Sequence, residues 1–216
     1  NLTVTATFTR TTQTYTVSFA TNNSDYGTVS RASITSVPYG TSISASGATV
    51  TINGVSATAN PKSATASDTF AFDSWSNTSG TITGARTITA NFTATPINYF
   101  ISANVYDGVG SVYVQNITQN KTANPSTGIM SSSLQCHYGD TVKIVATAGT
   151  GYYFGNWVNN QTEEAIVGSN PNQFTVSESR SFGVNFTPNT YTVTFNATTN
   201  GGTLSGSSSK TVTYDS

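Results

Sequence analysis

Charge is what this chain has least of. Only 8% of its 216 residues are Asp, Glu, Lys or Arg, against about 25% in a typical soluble domain. Eight basic and nine acidic residues leave a formal net charge of −1. No basic run exists, so the cationic footprint of nucleic-acid binding is missing, as is the polybasic patch that anionic membranes attract. Apolar residues alternate with Thr and Ser, and no stretch approaches the ~18 consecutive apolar residues of a spanning helix. No nucleic acid and no membrane insertion are therefore expected of this segment, nor a secretory leader at its start if it lies inside an array.

The single cysteine, Cys136, excludes an internal disulfide. The single histidine, His137, would have to carry any His-based metal site or triad alone. As strand neighbours the two point to opposite faces, which is poor geometry for shared ligation or a Cys–His dyad. Zinc-ligand spacing is missing too. The carboxylates are scattered, and the one adjacent pair, Glu163-Glu164, lies in a polar loop. A glycosidase needs two carboxylates about 5–9 Å apart across a cleft, and no motif supplies them. A non-enzymatic chain without cofactor or metal is the expectation.

What is present is Ser, Thr, Asn, Gly and aromatic residues, with 11 Tyr and 11 Phe. That usage suits an extracellular protein of a cell surface or cell wall. Several Asn-x-Ser/Thr sequons occur, including Asn77, Asn91, Asn116, Asn120, Asn160, Asn185 and Asn196, as a composition this rich in Asn, Ser and Thr also produces by chance.

The chain repeats itself. Ile88-Thr-Ala-Asn-Phe92-Thr matches Val184-Asn-Phe186-Thr, with Arg86 and Arg180 in register, and Val4-Thr-Ala-Thr-Phe8-Thr is the same strand again. Each copy leads into a Tyr-led strand: Tyr15-Thr-Val17-Ser-Phe19, Tyr99-Phe-Ile101-Ser-Ala103 and Tyr191-Thr-Val193-Thr-Phe195. Residues 1–14 therefore read as the closing strand of a preceding module plus linker, 15–98 and 99–190 as whole modules, and 191–216 as the opening of a further one. Tandem arrays span distance or present surfaces rather than build one active site.

Within a module the Tyr-led strand is followed by a glycine turn: Tyr26-Gly27-Thr-Val29, Gly108-Val-Gly110-Ser-Val112, then Gly201-Gly202-Thr-Leu204. A strand ending in a Tyr turn comes third, with Tyr39-Gly40, Tyr138-Gly139 and Tyr214-Asp215. An aromatic strand, Phe72-Asp-Ser-Trp75 or Phe154-Gly-Asn-Trp157, precedes the closing strand. Period-two alternation such as Leu2, Val4, Ala6, Phe8 against Thr marks strands, and Asn53-Gly54 marks a hairpin inserted in the first module. The second module instead has longer loops near 115–133 and 159–173. The fold class is all-β: tandem small β-sandwich or β-grasp-like modules in an elongated array.

These landmarks resemble bacterial and archaeal cell-surface tandem repeats of the internalin B-repeat type. Tyr138-Gly-Asp-Thr-Val-Lys-Ile-Val-Ala-Thr-Ala-Gly-Thr-Gly-Tyr-Tyr-Phe-Gly-Asn-Trp157 is similar to the divergent form. The run Tyr191 to Gly206, with Thr211-Val-Thr-Tyr214, is similar to the Listeria–Bacteroides form. The resemblance implies non-enzymatic modules strung along adhesin-like surface proteins, and no catalytic residues.

Phe and Trp three apart fall on opposite faces of a regular strand. Either a bulge at Asp73-Ser74 and Gly155-Asn156 turns both inward, or Trp faces out. An outward Trp157 beside Tyr153, ringed by Asn156, Asn159 and Gln161, would make a sugar-stacking platform. Phe92, Tyr99, Phe186 and Tyr191 flank the module junctions and are expected to contribute inter-module contacts. The primary expectation is a stalk that holds other domains away from the envelope, its partners being the neighbouring modules of the chain. The alternatives are a carbohydrate- or protein-binding module meeting surface glycans or host proteins, and a filament subunit. In the last, Leu2–Phe8 of one chain completes residues 191–216 of another, head to tail.

Overall fold

The computed structural model describes residues 1–123, 128–166, 168–197 and 201–214. Among them every regular element is a strand and no helix forms. The chain divides into two compact units, Asn1–Pro96 and Ile97–Ser216, each taken here by itself.

In the first unit one sheet is built from β1 (Thr14–Thr21), β3 (Ser33–Pro38), β7 (Asp68–Ser76) and β8 (Arg86–Pro96), in the order β3-β1-β8-β7. Its central pair is parallel, with Val17 beside Arg86 and Phe19 beside Ile88. The second sheet contains β2 (Gly27–Val29), β4 (Ile43–Ser46), β5 (Thr49–Ile52) and β6 (Val55–Pro61), in the order β2-β6-β5-β4. Val17, Phe19 and Ile88 from one sheet meet Val50, Ile52 and Ala57 from the other in a buried core. That is a two-layer β-sandwich.

Asn53 and Gly54 take φ of 50° and 73°, the left-handed pair that a tight hairpin between β5 and β6 requires. The inserted hairpin does not hang off the module. It places β5 and β6 inside the second sheet, between β2 and β4.

The second unit repeats the plan. Its first sheet takes β9 (Asn98–Asp107), β12 (Ser131–His137), β14 (Tyr152–Asn159), the short β15 (Ala165–Ile166) and β17 (Arg180–Pro188), ordered β12-β9-β17-β14-β15. The parallel pair recurs in the same register, Ile101 beside Arg180 and Ala103 beside Phe182. The facing sheet runs β11-β10-β13-β16, from β10 (Gly110–Asn116), β11 (Lys121–Ala123), β13 (Thr141–Ala148) and β16 (Asn172–Thr175). Ile101, Phe182 and Val184 pack there on Val112, Val142 and Ile144. The two stretches expected as long loops thus contain β11 and β15. Residues 124–127 of the first of them lie outside the described residues.

Glycine has a structural task beside each closing strand. A Cβ on Gly27 would sit 2.5 Å from the Phe92 ring, and one on Gly110 would sit 2.3 Å from the Phe186 ring. The closing-strand phenylalanine fills the space that the missing side chain leaves.

Both ends of the chain depart from the sequence reading or complete it. Asn1–Gln13, expected to hold a closing strand, form no strand. Leu2, Val4 and Phe8 are 93%, 85% and 92% exposed. In each unit the closing strand is held between a parallel first strand and an antiparallel aromatic strand, and no such neighbours flank Leu2–Phe8 among the described residues. At the other end β18 (Thr190–Thr194) and β19 (Ser209–Thr213) pair antiparallel, with Tyr191 beside Val212. The final Asp215-Ser216 of the third Tyr turn lie outside the described residues.

Candidate functional site

The aromatic strands decide where an exposed surface exists. The ladder between β14 and β17 shifts register between Phe154 and Asn156, and that between β7 and β8 shifts between Phe72 and Ser74. One extra residue re-aims the following side chain by half a pleat, so Phe and Trp turn to the same face. The pairs superimpose in geometry: Phe72–Trp75 rings lie 5.7 Å apart at 55°, and Phe154–Trp157 rings 5.7 Å apart at 58°. Trp157 is fully buried, and its indole N–H donates to the Ser169 carbonyl at 3.2 Å. The stacking platform read from the sequence therefore has no tryptophan on the surface. Tyr153 is half-exposed, while Asn156 donates to the Trp157 carbonyl and Asn159 accepts from the Gln161 N–H. These residues hold strand and loop geometry.

The residues named for inter-module contact separate as well. Phe92 and Phe186 are buried in the cores of their own units. Tyr99 packs partly on the second core, and Tyr191 stands half-exposed on β18. The terminal hairpin is fastened to the second sandwich by other groups. Asn189 N–H donates to the Gly151 carbonyl at 2.7 Å, and Tyr214 N–H donates to the Asn189 carbonyl at 2.8 Å. The Tyr214 ring lies over Gly151, where a Cβ would come within 2.4 Å of it. It also meets Tyr152 edge to face, centroids 5.8 Å apart. The recurrent Tyr after the third strand was a visible motif. Its partner, a glycine two residues ahead of β14's Tyr153, carried no signal of its own.

Beneath the Tyr138 turn lies a buried polar knot. Asp140 Oδ2 accepts from the His137 backbone N–H at 2.8 Å, from Asn116 Nδ2 at 2.7 Å and from Gln119 Nε2 at 2.6 Å. Burial alone raises the Asp140 pKa, but these donors, with the positive side of His137 nearby, hold the carboxyl below its ordinary value. Cys136 is buried in the adjoining core, and burial pushes its thiol pKa up, so the thiolate needed for reactivity is disfavoured. The knot is a turn anchor. Among the described residues, no group of three His, Cys, Asp or Glu side chains is placed to hold a metal ion.

The sequons scatter. Asn77, Asn120 and Asn196 are exposed. Asn91 donates to Ser74 and Ser76, Asn160 to Ser181, and Asn185 to Asn156. Asn116 is fully buried in the Asp140 knot.

One cavity in the second unit gathers polar side chains. About 290 Å³ in volume, it is lined by Asn159, Gln161, Ile166, Glu178, Ser179, Arg180, Ser181 and Phe182. The guanidinium of Arg180 donates through Nε and Nη2 to Glu178 Oε1 at 3.1 and 3.0 Å. It also sits 5.9 Å over the Phe174 ring.

Fold and cavity together define a tandem all-β-sandwich chain with a polar surface cavity. No protein-family model matches it, and no curated protein does. Among solved structures it is similar to "The Bacillus anthracis TIE protein", at 11% identity and a TM-score of 0.34. The match covers 89% of this chain and 37% of that one, so the chain spans little more than a third of its length. A score that low does not define a shared fold.

Proposed function

We propose that this chain is a spacer segment of an extracellular, adhesin-like surface protein, non-enzymatic in itself, that holds other domains at a distance. The observation that supports it is the repetition of one sandwich plan. Two sandwiches reproduce one parallel register, each on its own core, and a further Tyr-led hairpin follows. The buried carboxylate, cysteine and tryptophan all serve packing or turns. The test is the intact mass and location of the native polypeptide. A mass well above 22.6 kDa, released by protease shaving of intact cells, agrees with a spacer. A polypeptide recovered only from inside the cell overturns it.

A second reading, a filament built by strand addition, is favoured by the exposed Leu2–Phe8 and by the two sandwiches' shared register. Both complete modules set a closing strand parallel to the Tyr-led strand, and β18 lacks one among the described residues. Aligning Val4–Phe8 with Ile88–Phe92 and Tyr191 with Tyr15 puts Leu2 beside Val193 and Val4 beside Phe195. Unpaired edges accept such strands. Leu2→Cys and Val193→Cys chains, mixed and oxidised, should form a disulfide-linked dimer that an out-of-register pair does not. A monomer at every concentration with no such cross-link sinks this reading and leaves the spacer untouched.

A further inference from the structure

Arg86 and Arg180 occupy the same position of the same parallel ladder, beside Val17 and Ile101 respectively, yet they do different things. In the first sandwich Arg86 Nη1 donates to the carbonyls of Asn77 and Ser79 at 3.3 and 2.9 Å. The arginine staples the loop that follows its own aromatic strand. In the second sandwich that loop is longer, and its course is fixed by other bonds. Asn159 N–H donates to the Glu164 carbonyl and Asn160 N–H to the Ser181 carbonyl, while β15 adds the loop to the sheet edge through Val158 beside Ala165. Arg180, relieved of the staple, turns to Glu178 and lines a cavity.

The lining has a definite chemical character. Glu178, Gln161 and Asn159 end in planar groups with two polar atoms, and Arg180 in one with three nitrogens. The Arg180 Nε/Nη2 edge is engaged with Glu178 Oε1, and Asn159 Oδ1 with the Gln161 backbone N–H. That leaves Arg180 Nη1, Glu178 Oε2, Asn159 Nδ2 and the Gln161 amide to face a ligand. A carboxylate is a double acceptor, a guanidinium edge a double donor, and an amide offers one of each. Two polar atoms side by side on a plane match two hydroxyls on adjacent ring carbons. Ile166, partly buried at the cavity edge, is the apolar side chain available to a ligand, since the Phe182 ring is turned into the core. The Arg180–Glu178 pair cancels its own charge, so the cavity offers no net attraction to an anion. At about 290 Å³ it stands at the lower end of small-molecule pockets, which run from about 300 Å³ upward. That is room for one ring and not for a chain of them.

We propose that the cavity around Arg180 and Glu178 is a binding site for a single neutral pyranose unit with adjacent hydroxyls, the terminal sugar of a glycan. This reading stands apart from the spacer function. It also moves sugar recognition away from Trp157, which is buried, to the far end of β14 and the start of β17. The longer loop of the second sandwich supplies one side of the site and the start of β17 the other.

The test is a titration of the isotope-labelled full chain with the methyl glycosides of glucose, galactose, mannose and N-acetylglucosamine, read by amide chemical shifts. The expected result is a saturable shift for at least one of the four, confined to residues 159–166 and 178–182. Arg180→Ala and Gln161→Ala, both at exposed positions, should each weaken it by about tenfold or more, with the remaining shifts in place. Arg86→Ala should leave it unchanged. The proposal is overturned if none of the four sugars produces a localised shift. It is equally overturned if the shift survives Arg180→Ala, or if glucuronate binds more tightly than methyl glucoside, which would make the site an anion site.

Discussion

At the scale of single residues, the side chains with the most chemical promise have been absorbed into structure. Trp157 was the natural candidate for a ligand platform, and one inserted residue after Phe154 sends it into the core instead. Trp157→Ala should therefore cost the second unit about 3–5 kcal/mol, the usual range for deleting a buried large aromatic. Chemical denaturation reads this directly; an unchanged midpoint would mean that the ring does not support the core. Asp140 is the second case. Its carboxyl pKa is depressed in the folded state, so the stability it contributes is complete above the unfolded value of about 3.9. That contribution is lost as pH falls through the lower folded value. Asp140→Ala removes it at every pH and strands donors on Asn116, Gln119 and His137, each costing about 1–3 kcal/mol. The variant's stability should vary less with pH below about 5 than the parent's. Parallel melting curves of the two across that range would refute the assignment.

At the scale of elements, the recurring glycine and tyrosine landmarks acquire separate physical reasons. Gly110 leaves room for the closing-strand Phe186 ring, at 2.3 Å from a Cβ there, and for the Thr147 carbonyl of β13, at 2.6 Å. Gly110→Ala should destabilise the second unit by about 1–3 kcal/mol, the range for overpacking, and Gly27→Ala should do the same in the first. Thermal melting checks both, and a neutral result would show that the rings yield freely. The tyrosine of the third landmark serves a junction. Tyr214 covers Gly151 and holds Asn189, so Tyr214→Ala should speed amide exchange at Asn189, Tyr191 and Val212 while leaving β9 and β13 protected. Equal protection in variant and parent would show that the terminal hairpin does not need the ring. The Asn53-Gly54 hairpin was legible because both left-handed φ values are cheap for those residues. Its destination was not, because pairing partners are chosen by edges that no local pattern describes.

At the scale of the whole molecule, each unit encloses its own core. Residues 1–96 and 97–216, prepared separately, should each melt cooperatively, and each should keep the amide protection pattern it has in the full chain. Collapse of either one alone would mean that its core is incomplete without the other. The comparison of the two sandwiches is more telling than either by itself. Equal registers with unequal loops leave Arg86 spent on its own backbone and Arg180 facing a cavity.

Much of the architecture was determined by the sequence alone. Alternating Thr and apolar residues dictate strands, because period two is the only spacing that buries one set and exposes the other. The repeated Tyr-led and closing strands mark where modules begin and end. Tertiary structure alone decided the rest. The pattern offered Trp157 either face, and the bulge selected the inner one. Leu2–Phe8 has a strand's alternation but no neighbours among the described residues, and a strand is stabilised by its partners rather than by its own residues. Arg180 and Glu178 look like any surface pair in the sequence. The cavity they share depends on where a loop more than ten residues away comes to rest, and side-chain periodicity does not encode that.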